Sequence, residues 1–107
     1  MIRGMAEKVS ARGVRRQKWF LYILRCADGS LYTGITNDLD RRLRLHGAGK
    51  ASRYTRTRRP VELVYRERCI GRARALVREC AVKDLGRARK LELIGGARAT
   101  FRSPNGR

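Results

Sequence analysis

The 107-residue chain carries 27 Lys+Arg against 9 Asp+Glu, a formal charge of +18, and 22 of the basic residues are Arg. That length holds one modest core, the 42% of hydrophobic residues is too high for a disordered chain, and no apolar run approaches the ~18–20 residues that span a bilayer. Such a surplus of guanidinium, a group that grips phosphate in a bidentate fork, points to a polyanionic partner, with nucleic acid ahead of an anionic membrane surface.

Residues 1–17 are basic, contain Gly4 and Gly13, and have neither a sustained apolar period nor the apolar centre of a secretory signal, so a flexible basic arm is expected. Trp19 to Leu24 is aromatic and aliphatic throughout, as in a central strand covered on both faces. Asp28-Gly29 and a second strand, Leu31 to Thr36, complete a hairpin signal. A two-residue turn would pair Cys26 with Leu31 and put Tyr22 and Tyr32 on opposite faces. A three-residue loop, Ala27-Asp28-Gly29 with Gly29 left-handed, would pair Cys26 with Ser30 and gather Tyr22, Leu24, Tyr32 and Gly34 on one face. Both remain open at this level.

Asn37 or Asp38 can cap a short helix that buries Leu39 and Leu43 and stops at Gly47, with Arg42 and His46 stacked four apart on one side. Gly49 to Pro60 reads as a loop bearing Lys50, Arg53, Arg56, Arg58 and Arg59, interrupted by Tyr54, and is expected to contact phosphate. Val61 to Tyr65 reads as a third strand. From Gly71 to Leu85 the period turns helical, with Ala73, Leu76, Val77, Cys80 and Ala81 as the apolar stripe. Glu79 lies beside that stripe and can also pair with Lys83 at i,i+4, worth about 0.3–0.5 kcal/mol. Gly86 breaks the helix, Lys90 to Ile94 form a last short one, and residues 101–107 form a loose tail. The expected fold is α/β, a small three-stranded antiparallel sheet flanked by helices in the order β-β-α-β-α-α over residues 18–100. Cys26, Cys69 and Cys80 share no CxxC spacing, so buried free thiols and a reducing, cytoplasmic setting are expected.

Phe20-Leu21-Tyr22, nine intervening residues, Tyr32-Thr33-Gly34, then Arg42, His46 and a helical Glu79 resemble the GIY-YIG nuclease domain, especially its small stand-alone bacterial members. The stretch from Leu31 to His46 is the most specific part, and Tyr54-Thr55-Arg56 with Arg58-Arg59-Pro60 fits as well. The resemblance implies metal-dependent hydrolysis of a phosphodiester. Tyr22 matches the tyrosine that acts as general base or positions water, and Tyr32 the one that orients nucleophile or phosphate. Gly34 matches the motif glycine, which would let substrate approach the sheet. Arg42 matches the arginine that stabilises charge on phosphate, and His46 a companion that accepts the tyrosine proton or binds phosphate. Glu79 matches the carboxylate that anchors one Mg²⁺, or another divalent ion such as Mn²⁺. Lowering a tyrosine from its usual pKa near 10 to about 7 takes roughly 4 kcal/mol of phenolate stabilisation, which a metal and Arg42 are placed to supply. Two positions depart from the family pattern: Phe20 stands where the first motif has glycine, and the chain has no asparagine on its last helix, Asn105 lying in the tail.

The expected function is a metal-dependent endonuclease acting on DNA more than RNA, on branched or damaged forms as in DNA repair, with no membrane partner. The rivals are a nucleic-acid-binding module without turnover and a basic accessory protein of a ribonucleoprotein assembly. Glu79 favours the enzyme, because a binding module has no need of it.

Overall fold

The apolar run that begins the ordered chain becomes β1 (Lys18–Arg25), the middle strand of an antiparallel sheet ordered β2-β1-β3. Its residues Leu21, Tyr22, Ile23 and Leu24 are all buried, because both sheet faces are covered. The structure, a computed structural model, describes residues 18–102, with side chains through residue 96. The arm expected over 1–17 and the tail beyond residue 102 lie outside the described residues.

β2 (Leu31–Thr36) pairs with β1 in the register Tyr22↔Gly34 and Leu24↔Tyr32. The hairpin uses the three-residue loop. The Cys26 amide donates to the Ser30 carbonyl at 2.9 Å, the Gly29 amide donates to the Cys26 carbonyl at 2.9 Å, and Gly29 has φ 86°. Only glycine adopts that left-handed conformation without penalty. Asp28 locks the turn by accepting from the Ser30 amide at 3.0 Å and hydroxyl at 2.6 Å.

β3 (Glu62–Ile70) continues well past the expected Tyr65. Its pairing with β1 slips between Ile23↔Tyr65 and Leu24↔Leu63, so Val64 is an extra residue in a bulge. Beyond the bulge, Tyr22 lies opposite Arg66 and Phe20 opposite Arg68.

Each sheet face has its own core. On one, Leu21 and Ile23 pack with Val64, Cys69 and residues of α3 (Arg72–Lys83) and α4 (Arg87–Arg102), chiefly Ala75, Val82 and Ile94. On the other, Tyr22 and Leu24 pack with Leu39 of α1 (Leu39–Gly47), joined by Phe20, Tyr32, Leu43, Val61 and Leu63. Asp38, not Asn37, caps α1, its carboxylate accepting from the Arg41 amide at 3.1 Å.

Further expectations change in the helices. The segment from Gly49 to Pro60 contains a helical turn, α2 (Arg53–Arg56), capped by Ser52, so the order is β-β-α-α-β-α-α. The last helix runs from Arg87 to Arg102, much longer than Lys90 to Ile94. Finally, the stripe assigned to the interior of α3 faces outward: Ala73, Leu76, Val77, Cys80 and Ala81 are exposed, Val77 by 71%. Ala75 and Val82 turn inward instead, with Arg78 and Glu79 half-buried. Glu67 of β3 explains the rotation, since it takes a two-point contact from Arg78 (2.6 and 3.2 Å) and a hydrogen bond from the Tyr65 hydroxyl (2.6 Å). That partly buried fork holds the Arg78 side of α3 against β3. Cys26 and Cys69 are buried free thiols as expected, whereas Cys80 is exposed. No helix among the described residues is long and apolar enough to cross a membrane.

Candidate active site

Tyr22 and Tyr32 come from adjacent strands and, through the three-residue loop, share the α1 face, with ring centroids 6.5 Å apart. Gly34 sits opposite Tyr22. A Cβ there would lie 2.6 Å from the Tyr22 hydroxyl and 2.7 Å from Cζ. The missing side chain makes room for the phenol of Tyr22, a role beside the substrate access expected of it.

Helix α1 brings Arg42 and His46 to this face. His46 is 1% exposed and uses both ring nitrogens: Nε2 lies 2.9 Å from the Tyr22 hydroxyl, Nδ1 2.8 Å from Thr55 Oγ1. Thr55 Oγ1 is in turn 3.0 Å from Ser52 Oγ. Burial, with a smaller push from the Arg42 guanidinium, drives the His46 pKa down to about 4, so the ring is neutral near pH 7. Burial likewise raises Tyr22 well above the ordinary phenol value; the Tyr32 and Glu79 charges add to the rise and Arg42 opposes it. Tyr22 is thus a neutral hydroxyl. Arg42 alone does not offset the desolvation of the phenol, so the phenolate expected from a metal and Arg42 together would need the metal's charge. The same balance shows that Tyr32, Arg42 and Glu79 all act electrostatically on one hydroxyl.

Glu79 is partly shielded, with 20% of its side chain exposed, and its Oε2 lies 3.3 Å from Lys83 Nζ, whose side chain is largely in solvent. Among the described residues no three or more His, Cys, Asp or Glu gather as a metal cage. A single, partly shielded carboxylate is the kind of oxygen ligand that a hard cation keeping most of its waters would accept.

The basic residues divide. Lys50, Arg53 and Arg56 are exposed, and their side chains make no hydrogen bond or ion pair among the described residues. Arg58 and Arg59, expected beside them as phosphate contacts, are in addition bonded within the protein. Arg58 donates to Asp28 at 3.1 Å and to the Tyr54 carbonyl at 2.9 Å, and lies 3.8 Å over the Tyr54 ring. Arg59 donates to the carbonyls of Gly47 (3.1 Å) and Arg56 (3.0 Å), closing the C-terminus of α1. Tyr54 stacks on Tyr32 with centroids 5.9 Å apart and so braces the second tyrosine.

Sequence reading missed Arg66, Arg68 and the role of Thr55. The two arginines are exposed and sit on the Tyr22 face, directly across from Tyr22 and Phe20. Their alternation about Glu67 was the available signal. Thr55 entered only within the Tyr54-Thr55-Arg56 likeness to the family, and its bond to His46, nine residues away on another helix, left no local signal.

Residues 18–92 match the family described as the GIY-YIG catalytic domain. A UPF0213 protein of Desulfotalea psychrophila is 51% identical over 87 residues, covering 80% of this chain and 79% of its own. One from Staphylococcus haemolyticus is 46% identical over 77 residues, covering 72% of this chain and 94% of its own. The solution NMR structure of a UPF0213 protein from Bacillus halodurans shares 42% identity, covers 73% of this chain and 83% of that one, and superposes with a TM-score of 0.49.

Proposed function

Because the chain belongs to the GIY-YIG catalytic-domain family, we propose that it is a metal-dependent endonuclease hydrolysing phosphodiesters in DNA, including branched or damaged DNA. The observation that carries this reading is the buried 2.9 Å bond between Tyr22 and a neutral His46, at a hydroxyl that also feels Arg42 and Glu79. A structural tyrosine needs one hydrogen bond; it has no need of a base and two opposite charges around it.

Tyr22 keeps its proton toward His46 Nε2, so its oxygen lone pairs can accept a hydrogen bond from the attacking water. As the water oxygen bonds to phosphorus, its proton passes to Tyr22 and the Tyr22 proton passes to His46. The bond from phosphorus to the leaving oxygen breaks, and that oxygen takes a proton from solvent. General-base assistance contributes typically 10²–10⁴-fold, toward the lower end for a base as weak as this imidazole. Arg42 neutralises charge gathering on the phosphate, and Tyr32, held by Tyr54, fixes the approach. Glu79 would hold Mg²⁺ or Mn²⁺, which supplies further positive charge to the phosphate when bound. Lys50, Arg53 and Arg56 on one side, with Arg66 and Arg68 on the other, grip the flanking phosphates. The free thiols suit a cytoplasmic setting.

The deciding experiment incubates purified protein with plasmid, single-stranded and branched DNA, with and without Mg²⁺. Cleavage is expected only with the metal. Glu79→Ala should abolish it while leaving DNA affinity unchanged or slightly raised, since deleting a negative charge does not weaken attraction to a polyanion. Cleavage by Glu79→Ala at the parent rate removes the metal role from Glu79. Failure of the parent to cut any DNA form transfers the assignment to a nucleic-acid-binding module.

A further inference from the structure

We propose that Thr55 is a positioning residue that fixes the tautomer of His46, and thereby aims the Tyr22 proton at the imidazole and its lone pairs at the attacking water. The kinetic part of this proposal rests on the nuclease reading; the structural part does not.

A neutral imidazole carries one N–H, and the two hydroxyls that flank His46 can each donate or accept. The surrounding bonds break the symmetry. Ser52 Oγ already accepts from the Thr55 amide at 3.1 Å and lies 3.0 Å from Thr55 Oγ1. If the Thr55 hydroxyl donates to Ser52, its oxygen accepts from His46 Nδ1–H, Nε2 is left with a lone pair, and the Tyr22 hydroxyl donates to it. Each buried proton of this chain of bonds then has an acceptor, and the Ser52 proton is left on a residue that is only partly buried.

The opposite direction fails on one count. With the proton on Nε2, His46 donates to the Tyr22 oxygen, and the Tyr22 proton needs another acceptor. Tyr22 is 2% exposed, and His46 is its one hydrogen-bond partner among the described residues. That arrangement leaves the Tyr22 proton with no protein acceptor and turns it toward the substrate side, where it would oppose the proton of the attacking water. Thr55 itself is 0% exposed and cannot touch substrate. It acts through His46 alone, as second partners of catalytic imidazoles do.

The chain has a single histidine, so ring signals of the untagged full chain labelled with ¹⁵N-histidine report His46 alone. Long-range ¹H–¹⁵N correlation near neutral pH should show Nδ1 as the protonated nitrogen and Nε2 as the bare one. Thr55→Val keeps shape and removes the acceptor, so the ring should move to the Nε2–H form or a mixture. Turnover should fall by about 10²-fold, the lower end of what an aligned proton acceptor contributes. Thr55→Ser should restore both the tautomer and most of the turnover, which a merely structural role for the threonine methyl would not.

A parent protein with Nε2–H overturns the proposal, as does Thr55→Val with the parent tautomer. An altered tautomer with unchanged turnover overturns its kinetic half. If Thr55→Val does not fold, the parent and Thr55→Ser spectra still decide the assignment. If the parent cuts no DNA, the nuclease reading falls, while the tautomer stands or falls on the spectrum.

Discussion

Gly34→Ala is the smallest change that reaches the site without touching any polar group. The new methyl would stand 2.6 Å from the Tyr22 hydroxyl, so the phenol must leave His46 or β2 must bow. Overpacking of this kind costs typically about 1–3 kcal/mol, and denaturant melts should show that loss together with a collapse of cleavage. A melt unchanged from the parent would mean that the ring has room the structure does not show. His46 makes the second residue-scale prediction. Its folded pKa of about 4 lies below the ordinary imidazole value, so the unfolded chain binds more protons as pH drops from about 6.5 to 4. Stability is then full above about 6.5 and is lost as pH falls through that window, by on the order of 2–3 kcal/mol. His46→Gln, which cannot titrate, should lack this loss, and its stability deficit at pH 7 should shrink toward pH 4.5. Parallel melting curves for the two proteins across that range would contradict the buried neutral ring.

At the scale of elements, β3 carries the clearest test. Arg66 and Arg68 lie on the tyrosine face because the Val64 bulge turns the strand by one residue beside Leu24. Replacing both by Gln should lower the magnitude of the salt slope of DNA binding by about 2, one for each phosphate released. The same replacement of Arg58 and Arg59 should leave the slope nearly unchanged and instead destabilise the loop, since their guanidinium groups are already committed to Asp28 and to the end of α1. Equal slope changes in the two double variants would erase the distinction between gripping and bracing arginines. The tyrosine–arginine–histidine–glutamate set, spread from Tyr22 to Glu79, was readable only through the family resemblance. The strands of the first hairpin and the helix cap were legible because each depends on neighbours within one turn or one hairpin. The facing of α3 was not. Its apolar period favoured Ala73, Val77 and Ala81, and the contact that turned it, Arg78 to Glu67, joins two elements whose approach no local pattern encodes. Thr55 and the division among the arginines were hidden for the same reason. The turn itself was legible only to a pair of options, since both begin with the same Asp28-Gly29 signal.

The whole molecule carries +18 on 107 residues, so the folded state works against its own charge. Raising ionic strength from about 0.01 to 0.15 M shortens the Debye length from roughly 30 to 8 Å. The melting temperature should climb over that range, and a polyanion such as duplex DNA should raise it further by binding the folded form. A melting temperature that falls with salt would show that ion pairs, not repulsion, dominate the surface. Against that strained whole, the small loop at Ala27, Asp28 and Gly29 has an outsized effect. Surface loops ordinarily tolerate gain or loss of a residue, and this one is exposed. What it fixes is that Cys26 stands opposite Ser30, and with that every pairing further along the hairpin. A slip of that pairing by one residue would carry Tyr32 and Gly34 to the α3 side and Thr33 and Ile35 into their places. Changes of loop length that keep the same flanking residues opposite each other leave each side chain on its own side. Length variants of this loop among folded, active relatives should therefore preserve that flanking pair, and a variant that shifts it by one should persist only with a compensating bulge on β2.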